Sequence, residues 1–424
     1  MKIKVKEMPY EEVLKLPRLQ HKMPMKPQAW LMAIVRLICI STLKKTKFSY
    51  TTERMDLIKD QPCLILMNHS SFTDMKLAYG IFYPKKMGIV TSVDAMSGIL
   101  GKLMRLLGCT PTHKYITDIS LIRDIKYMLE ENKTSVLMYP EAGYSFDGRA
   151  TTMPKRLGTL MKHLGVPVVT VITQGAFHRD PLYNMLQIRD VKVSAHVKCI
   201  ATAEEVKEKT VEELDALLEE SFSFDNFAWQ RDNKISIDVP YRADGLHRIL
   251  YKCPHCGAEN EMEGKGITLS CHACHKQWTM DEYGQLSAND GETEYPHIPD
   301  WYTWQRECVR KELEEGTYRL DTDVDIMIQV NLDGVCNIGS GHLLHTEEGF
   351  RLTGAAGKLD YYQPPTFSHT LYADYYWYEI ADVIGIGDNE FSYFCFPKSD
   401  VSVTKARLAT EELYKLLKSR RRKK

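Results

Sequence analysis

The sequence predicts an α/β body, a mixed sheet flanked by helices, followed by a small cysteine unit and a β-rich end. Three observations predict it. From about residue 50 to 235 short apolar runs alternate with stretches of helical periodicity. Near residue 250 the pattern changes to two CxxC pairs, and beyond residue 300 come β-branched and aromatic runs broken by turn residues. With 424 residues, 44% of them hydrophobic, the chain buries a sizeable core and is long enough for two to four domains. Its net charge is −1, so no global field recruits nucleic acid.

The first apolar stretch, AWLMAIVRLICISTL at 29–43, is interrupted by Arg36 and is shorter than the roughly 20 residues a spanning helix needs. It reads as a helix on a membrane surface, with Trp30 at the interface and Lys44, Lys45 and Lys47 toward headgroups. A helix packed on its own domain fits the same residues. The other basic concentration, KSRRRKK at the end, reads as a solvated tail. Eleven cysteines, four in CxxC pairs and the rest scattered, fit a reducing cytoplasm, and the expected location is the cytoplasmic face of a membrane.

Strand candidates follow in order: CLILM, MGIVTS, SVLMYP, VPVVTVI and VKVSAHVKCI. Helical spacing appears at Leu121, Ile125, Met128 and Leu129, and again at Val211, Leu214 and Leu218 behind the capping box Thr210-x-x-Glu213. The stretch LMNHSSFTD joins the first of these strands to a helix marked by Met75, Ala78, Tyr79 and Phe82. Five residues along one helix rotate by about 140°, so His69 and Asp74 face each other only if His69 precedes the helix and Asp74 lies in its first turn. Ser70 or Ser71 is then the cap, and Asp74 bends back to hold one ring nitrogen, leaving the other to take a proton. Ser71-x-x-Asp74 also reads as a capping box with no chemistry.

SVLMY runs into PEAGYS, which puts Glu141 and Gly143 at a strand end, where ligands collect in open α/β sheets. Further on, PKRLG sets Lys155 and Arg156 beside a glycine, a pair suited to an anion or simply a solvated turn. Together these blocks resemble the glycerolipid acyltransferases typified by lysophosphatidic acid acyltransferases. NHSSFTD resembles that family's NHxxxxD, YPEAGYS its FPEGTRS, GCTPTHK at 108–114 its glycine-to-arginine block, and PKRLG its later basic element. The likeness runs over roughly residues 30–200.

The resemblance implies transfer of a fatty acyl group from a thioester, acyl-CoA or acyl carrier protein, to a hydroxyl of lysophosphatidic acid, giving phosphatidic acid. It implies His69 as base, Asp74 as its orienting carboxylate, Glu141 and Gly143 at the acceptor, and Lys114, Lys155 and Arg156 on phosphate. No nucleophilic cysteine is needed, and backbone N–H groups after Asn68 are the expected oxyanion donors. Two departures bear on the acceptor. Lys114 stands where the family has arginine, and Ala142, Gly143 and Tyr144 stand where it has Gly, Thr and Arg. A different hydroxyl acceptor is therefore the alternative, as is an inactive relative serving protein interaction.

Cys253-x-x-Cys256 and Cys271-x-x-Cys274 have the spacing of four thiolates on one structural zinc, and the segment resembles a zinc ribbon. A closed shell of four cysteines leaves His255, His272 and His275 as surface residues. Glu259, Glu261 and Glu263 argue against binding nucleic acid and leave a protein partner as the ribbon's other use. The strand candidates DVDIMIQV, GHLLHTEEGFRLTG, LYADYYWYEI and EFSYFCFP and a final helix through Ala406, Ala409 and Leu413 loosely resemble a pleckstrin-homology-like barrel. GIG at 385–387 reads as a turn. The expected organisation is a helical membrane-surface segment over 1–50, the acyltransferase domain over 51–235, the ribbon over 245–285 and the β-rich domain over 300–424.

Overall fold

The computed structural model describes residues 2–114, 118–399 and 401–422, with side chains through 420; the end of the basic tail lies outside the described residues. The chain forms two compact units, Gln20–Asp180 with Ile188–Asn226, and Met1–Leu19 with Pro181–Gln187 and Phe227–Lys424. β1 (Val5–Glu7) and α1 (Tyr10–Lys15) open the chain and belong to the latter unit. This corrects the expectation of one helical segment over 1–50. Val5, Lys6 and Glu7 pair in parallel with residues 335–337, because an extended edge there offers backbone groups that a surface helix would not.

The unit that starts at Gln20 begins with α2 (Ala29–Lys45), which buries Leu31, Met32 and Cys39 and leaves Trp30, Ile34, Leu37 and Ile38 exposed. Seven strands follow: β2 (Ser49–Glu53), β3 (Leu64–Met67), β4 (Met87–Ser92), β5 (Cys109–Thr112), β6 (Ser135–Met138), β7 (Val168–Gln174) and β8 (Ser194–Ala201). Their order is β2-β8-β7-β3-β6-β4-β5, parallel except between β7 and β8. β3 lies at the centre, so all four of its residues are buried and its sequence is an unbroken apolar run. The two strands the sequence did not mark are the edges. β2 reads SYTTE with an exposed face, and β5 contains Pro111, which only an edge tolerates.

The helices are α3 (Asp74–Phe82), α4 (Gly98–Leu106), α5 (Ile119–Glu130), α6 (Leu157–Leu164), α7 (Ala176–Arg179), α8 (Ala203–Glu208) and α9 (Val211–Ser221). α9 starts at the expected capping box, with Thr210 Oγ1 accepting the Glu213 N–H and Glu213 accepting the Thr210 N–H. Ile125, Met128, Met161 and Leu214 from α5, α6 and α9 pack on Val136 and Val168 of the sheet. Each such burial contributes about 1.5–3 kcal/mol, which holds the strand ends, and so the loops after them, in register.

After β1 and α1, the other unit continues with α10 (Asn226–Asp232), mostly within it, and a four-stranded sheet of β9 (Met262–Lys265), β10 (Thr268–Cys271), β11 (Gln277–Met280) and β12 (Leu286–Ala288). α11 (Ile298–Glu314), which the sequence reading missed, follows. Then come β13 (Leu320–Gln329), β14 (Val335–Thr346), β15 (Gly349–Gly354), β16 (Leu359–Gln363), β17 (Tyr372–Trp377), β18 (Ala381–Gly387) and β19 (Ser392–Pro397), and finally α12 (Val403–Arg422). The antiparallel order is β16-β15-β14-β13-β19-β18-β17, with β1 added beside β14. Residues 385–387 are strand, not a turn. Gly385 is small because a Cβ there would lie 2.9 Å from the Tyr372 ring across the ladder.

The cysteine segment and the β-rich segment, expected as separate domains, belong to one unit. Trp301 of α11 donates to the Lys252 carbonyl at 2.9 Å, and Gln305 bridges the Lys252 N–H and the Ile249 carbonyl. Lys252 and Lys405 meet Glu259 and Glu312 at 2.7–3.6 Å, tying the segment to α11 and α12. No helix among the described residues is long and apolar enough to cross a membrane.

Candidate active site and cysteine cluster

β3, β4, β5 and β6 run parallel, so the loops after them gather at one sheet edge. His69 follows β3 there, Lys114 follows β5, and Glu141 follows β6. Asn68, wholly buried, fixes the first loop. Its Oδ1 accepts the Thr173 N–H at 2.8 Å, and its Nδ2 donates to Ser70 Oγ at 3.0 Å. His69 Nδ1 lies 2.9 Å from Asp74 Oδ2. A carboxylate only accepts, so Nδ1 carries the proton and Nε2 presents the lone pair. Burial pushes the His69 pKa down, more strongly than Asp74 pushes it up, and the Lys114 charge adds to the lowering. The imidazole is therefore neutral near pH 7 and able to accept a proton.

Helix α3 begins at Asp74, with Thr73 in the cap position, so neither Ser70 nor Ser71 is the residue at its N-cap. The polarity is reversed from the expectation. Asp74 Oδ2 accepts the N–H groups of Ser70 and Ser71 at 2.8 and 3.0 Å, and Ser71 Oγ accepts that of Thr73 at 3.0 Å. Half of the capping box thus exists, and it coexists with the histidine pair. The same bonds occupy the N–H groups of Ser70, Ser71 and Thr73, which leaves them out of the expected set of oxyanion donors. Asp180, which the sequence did not flag, accepts from Ser71 Oγ at 2.5 Å, and burial pushes its pKa up to about 7 despite that bond.

Glu141 is wholly buried, and its two oxygens take the N–H groups of His69 at 2.8 Å and Thr151 at 2.7 Å. Two backbone donors from different loops converge on it, one of them from His69 itself. Gly143 is buried next to it, and the residue in the left-handed conformation is its neighbour Ala142, at φ 53°. Lys155 and Arg156 are exposed where α6 begins. Among the described residues no hydrogen bond or ion pair joins either to His69, Asp74 or Glu141, so Lys114 is the member of the basic trio whose charge reaches His69.

Two aromatic residues were missed. Tyr139 and Tyr144 stack on opposite sides of the His69 ring, with centroids 4.1 and 3.9 Å away, and Phe72 stacks on Tyr144 at 5.0 Å. The tyrosines flanking PEAG were the available signal. They leave the imidazole an edge through which to reach substrate, and their π faces favour it as it becomes a cation.

In the other unit the sulfurs of Cys253, Cys256, Cys271 and Cys274 all lie within 4.8 Å of one another. Cys253 and Cys274 are 3.8 Å apart, as are Cys256 and Cys271. Four sulfurs at about 2.3 Å from a tetrahedral zinc stand about 3.8 Å apart, so the cluster fits that ion. Each CxxC turn is built alike. Gly257 and His275, both at positive φ, donate to the Cys253 and Cys271 carbonyls at 2.9 and 2.8 Å. His255 and His272 face Glu294 and Glu263 instead of the cluster.

Residues 49–174 match the family model described as Acyltransferase. No curated protein matches the chain. A solved structure that matches is the crystal structure of the 1-acyl-sn-glycerophosphate (LPA) acyltransferase PlsC from Thermotoga maritima, at 17% identity and a TM-score of 0.32, covering 46% of this chain and 80% of that one. The matched residues contain both the NHxxxxD segment and the block around Glu141, which meet at one sheet edge, so over residues 49–174 this chain carries a domain similar to the family described as Acyltransferase.

Proposed function

We propose that the protein moves a fatty acyl group from an acyl thioester, carried by coenzyme A or acyl carrier protein, to a hydroxyl of a lysophospholipid, with lysophosphatidic acid the acceptor and phosphatidic acid the product. The observation that carries this reading is the neutral His69 held at Nδ1 by Asp74, with Nε2 directed away from that carboxylate. Nε2 takes the proton of the acceptor hydroxyl as its oxygen attacks the thioester carbon. The tetrahedral intermediate then expels the thiolate, which recovers the proton from the imidazolium. Asp74 and the two tyrosine rings stabilise the imidazolium between these events. Lys114 supplies positive charge to the acceptor phosphate. Glu141 positions His69 through its backbone N–H.

Tyr144, aromatic where the family resemblance has arginine, favours a second reading in which the acceptor is another hydroxyl amphiphile. The cysteine cluster holds one structural zinc, which stabilises the second unit; a protein partner there is a further use. The exposed stripe Trp30, Ile34, Leu37 and Ile38 on α2 suits peripheral attachment at the cytoplasmic membrane face. The test is acyl transfer from labelled acyl-CoA and acyl carrier protein to lysophosphatidic acid, glycerol 3-phosphate and other lysolipids, with His69→Ala alongside. Transfer by the wild type and its loss in a folded variant are expected. Equal transfer by both, or none by the wild type, overturns the reading.

A further inference from the structure

We propose that the site's sheet edge is a lipid-docking collar, with α4 as its main contact and an anionic bilayer surface as its occupant; this rests on the acyltransferase reading, because it is what brings an amphiphilic acceptor to His69. Three successive strand-to-helix connections at this edge each leave a large apolar side chain in water. After β3 it is Phe72, 50% exposed; after β4 they are Ile99, Leu100 and Leu103, at 80, 45 and 42%; after β5 it is Ile119, at 65%.

α4 is the anomaly. It has nine residues, of which Gly101 alone is buried, and that glycine is required because a Cβ would lie 1.7 Å from the Met96 carbonyl oxygen. Isolated helices shorter than about 12–15 residues are marginal in water, and packing of an apolar face is what ordinarily stabilises them. Here Ile99, Leu100 and Leu103 point outward while Met104 and Leu106 are half-buried, so the larger part of its apolar face is left for a contact outside the chain.

Charge selects the occupant. α4 contains no acidic residue and exposes Lys102, and α5 exposes Arg123 one turn beyond Ile119. The collar's carboxylates are withdrawn. Asp74, Asp94 and Asp124 are buried, and Asp118 is engaged in capping α5. Apolar side chains interleaved with exposed cations, without exposed anions, match an anionic headgroup layer better than a second copy of the same cationic collar. Gln28, just before α2, donates its N–H to the Leu106 carbonyl at 2.9 Å, so the end of α4 joins the start of the helix carrying the other exposed apolar stripe.

The experiment is flotation of the full chain with phosphatidylcholine vesicles, with and without phosphatidylglycerol, for wild type and the double variant Ile99→Asp/Leu103→Asp. Recovery with phosphatidylglycerol vesicles at least about tenfold above the variant is expected. A separate Leu100→Trp chain, whose emission should shift to the blue on adding these vesicles by more than that of the wild type, reads contact without depending on the double variant's folding. Equal flotation of a folded variant, no added emission shift in the Leu100→Trp chain, or sedimentation showing that α4 instead joins two copies overturns the proposal. Neither readout needs turnover. A chain that docks but transfers nothing sinks the enzymatic reading, and one that acylates a monomeric acceptor without docking sinks only the collar.

Discussion

At the His69 segment two buried carboxylates, Asp74 and Glu141, gather five N–H groups: those of His69, Ser70, Ser71 and Thr151 and the His69 ring. At the cysteine cluster four sulfurs face one another, and each CxxC turn is closed by backbone bonds alone. The first arrangement draws its donors from within the chain: three converge on Asp74 Oδ2 and one on each Glu141 oxygen, while Asp74 Oδ1 is buried without a hydrogen-bond partner. The second gathers four sulfurs at the spacing of a tetrahedral metal site, where a cation would bind them as thiolates. One loop is thus held by hydrogen bonds within the chain, and the other is arranged as a ligand set for a metal.

Denying the cysteine cluster its metal should have the largest effect. Stripping the chain with a zinc chelator, or replacing Cys271 by serine, should cost on the order of 10 kcal/mol of local folding free energy. Through the Lys252, Glu259, Glu312 and Lys405 contacts the loss should spread to α11 and α12. Metal content by emission spectrometry and melting with and without chelator measure it. A metal-free chain that melts like the native one would sink the zinc assignment.

Next in size is the effect on the barrier. His69→Ala should lower kcat by about 10²–10⁴-fold, about 3–5 kcal/mol, while shifting stability far less than zinc removal does. Because burial sets the folded pKa of His69 below 6.5, the unfolded state binds the proton first as pH falls. Stability from this group is present above 6.5 and is lost as pH falls through the folded value, and the acid limb of the rate should lie below 6.5. Asp74→Asn removes the charge that raises that pKa, so the limb should move further down and the plateau should drop. A limb that moves upward would show Asp74 acting through something other than the imidazole.

The two regions also differ in how far their sequence disclosed them. Cys-x-x-Cys twice at ribbon spacing and NHxxxxD were both readable, because ligand and dyad geometry depend on short, fixed intervals. The central strands were readable because burial on both sides demands apolar runs. What stayed hidden depends on contacts distant in sequence. Glu141 serves His69 from 72 residues away and Asp180 serves Ser71 from 109, and no local spacing encodes either. β1 is three residues long and is a strand only because β14 offers it an edge. α11 went unmarked because its buried face mixes Gln305, Tyr302 and Trp301 with few aliphatics, which weakens the periodic signal.

Glu141 gives a sharper and smaller test. Glu141→Gln keeps one acceptor oxygen but turns an NH₂ toward either the His69 or the Thr151 N–H, so one buried donor loses its partner. About 1–3 kcal/mol of stability should be lost, with kcat reduced and the acceptor KM unchanged. A raised acceptor KM at unchanged stability would instead support the acceptor-binding role expected of Glu141 from the sequence.

The smallest effect compares the loops directly, because each carries one non-glycine residue in the left-handed region: Ala142 at φ 53° and His275 at φ 63°. That conformation costs an L-residue roughly 1–2 kcal/mol, and glycine, free of this cost, gives back about 0.5–1 kcal/mol in chain entropy. Ala142→Gly and His275→Gly should each therefore raise stability by about 0.5–1 kcal/mol, read as a small upward shift in melting. Their effects on turnover should differ. Ala142 follows Glu141 directly, so a looser backbone there lets the carboxylate that holds His69 wander, and kcat should fall about twofold or more as stability rises. His275 closes a turn with no part in acyl transfer, and its replacement should leave kcat where it was. If both variants leave kcat unchanged, the Ala142 strain is incidental to catalysis; if both lower it, the two units are coupled in turnover.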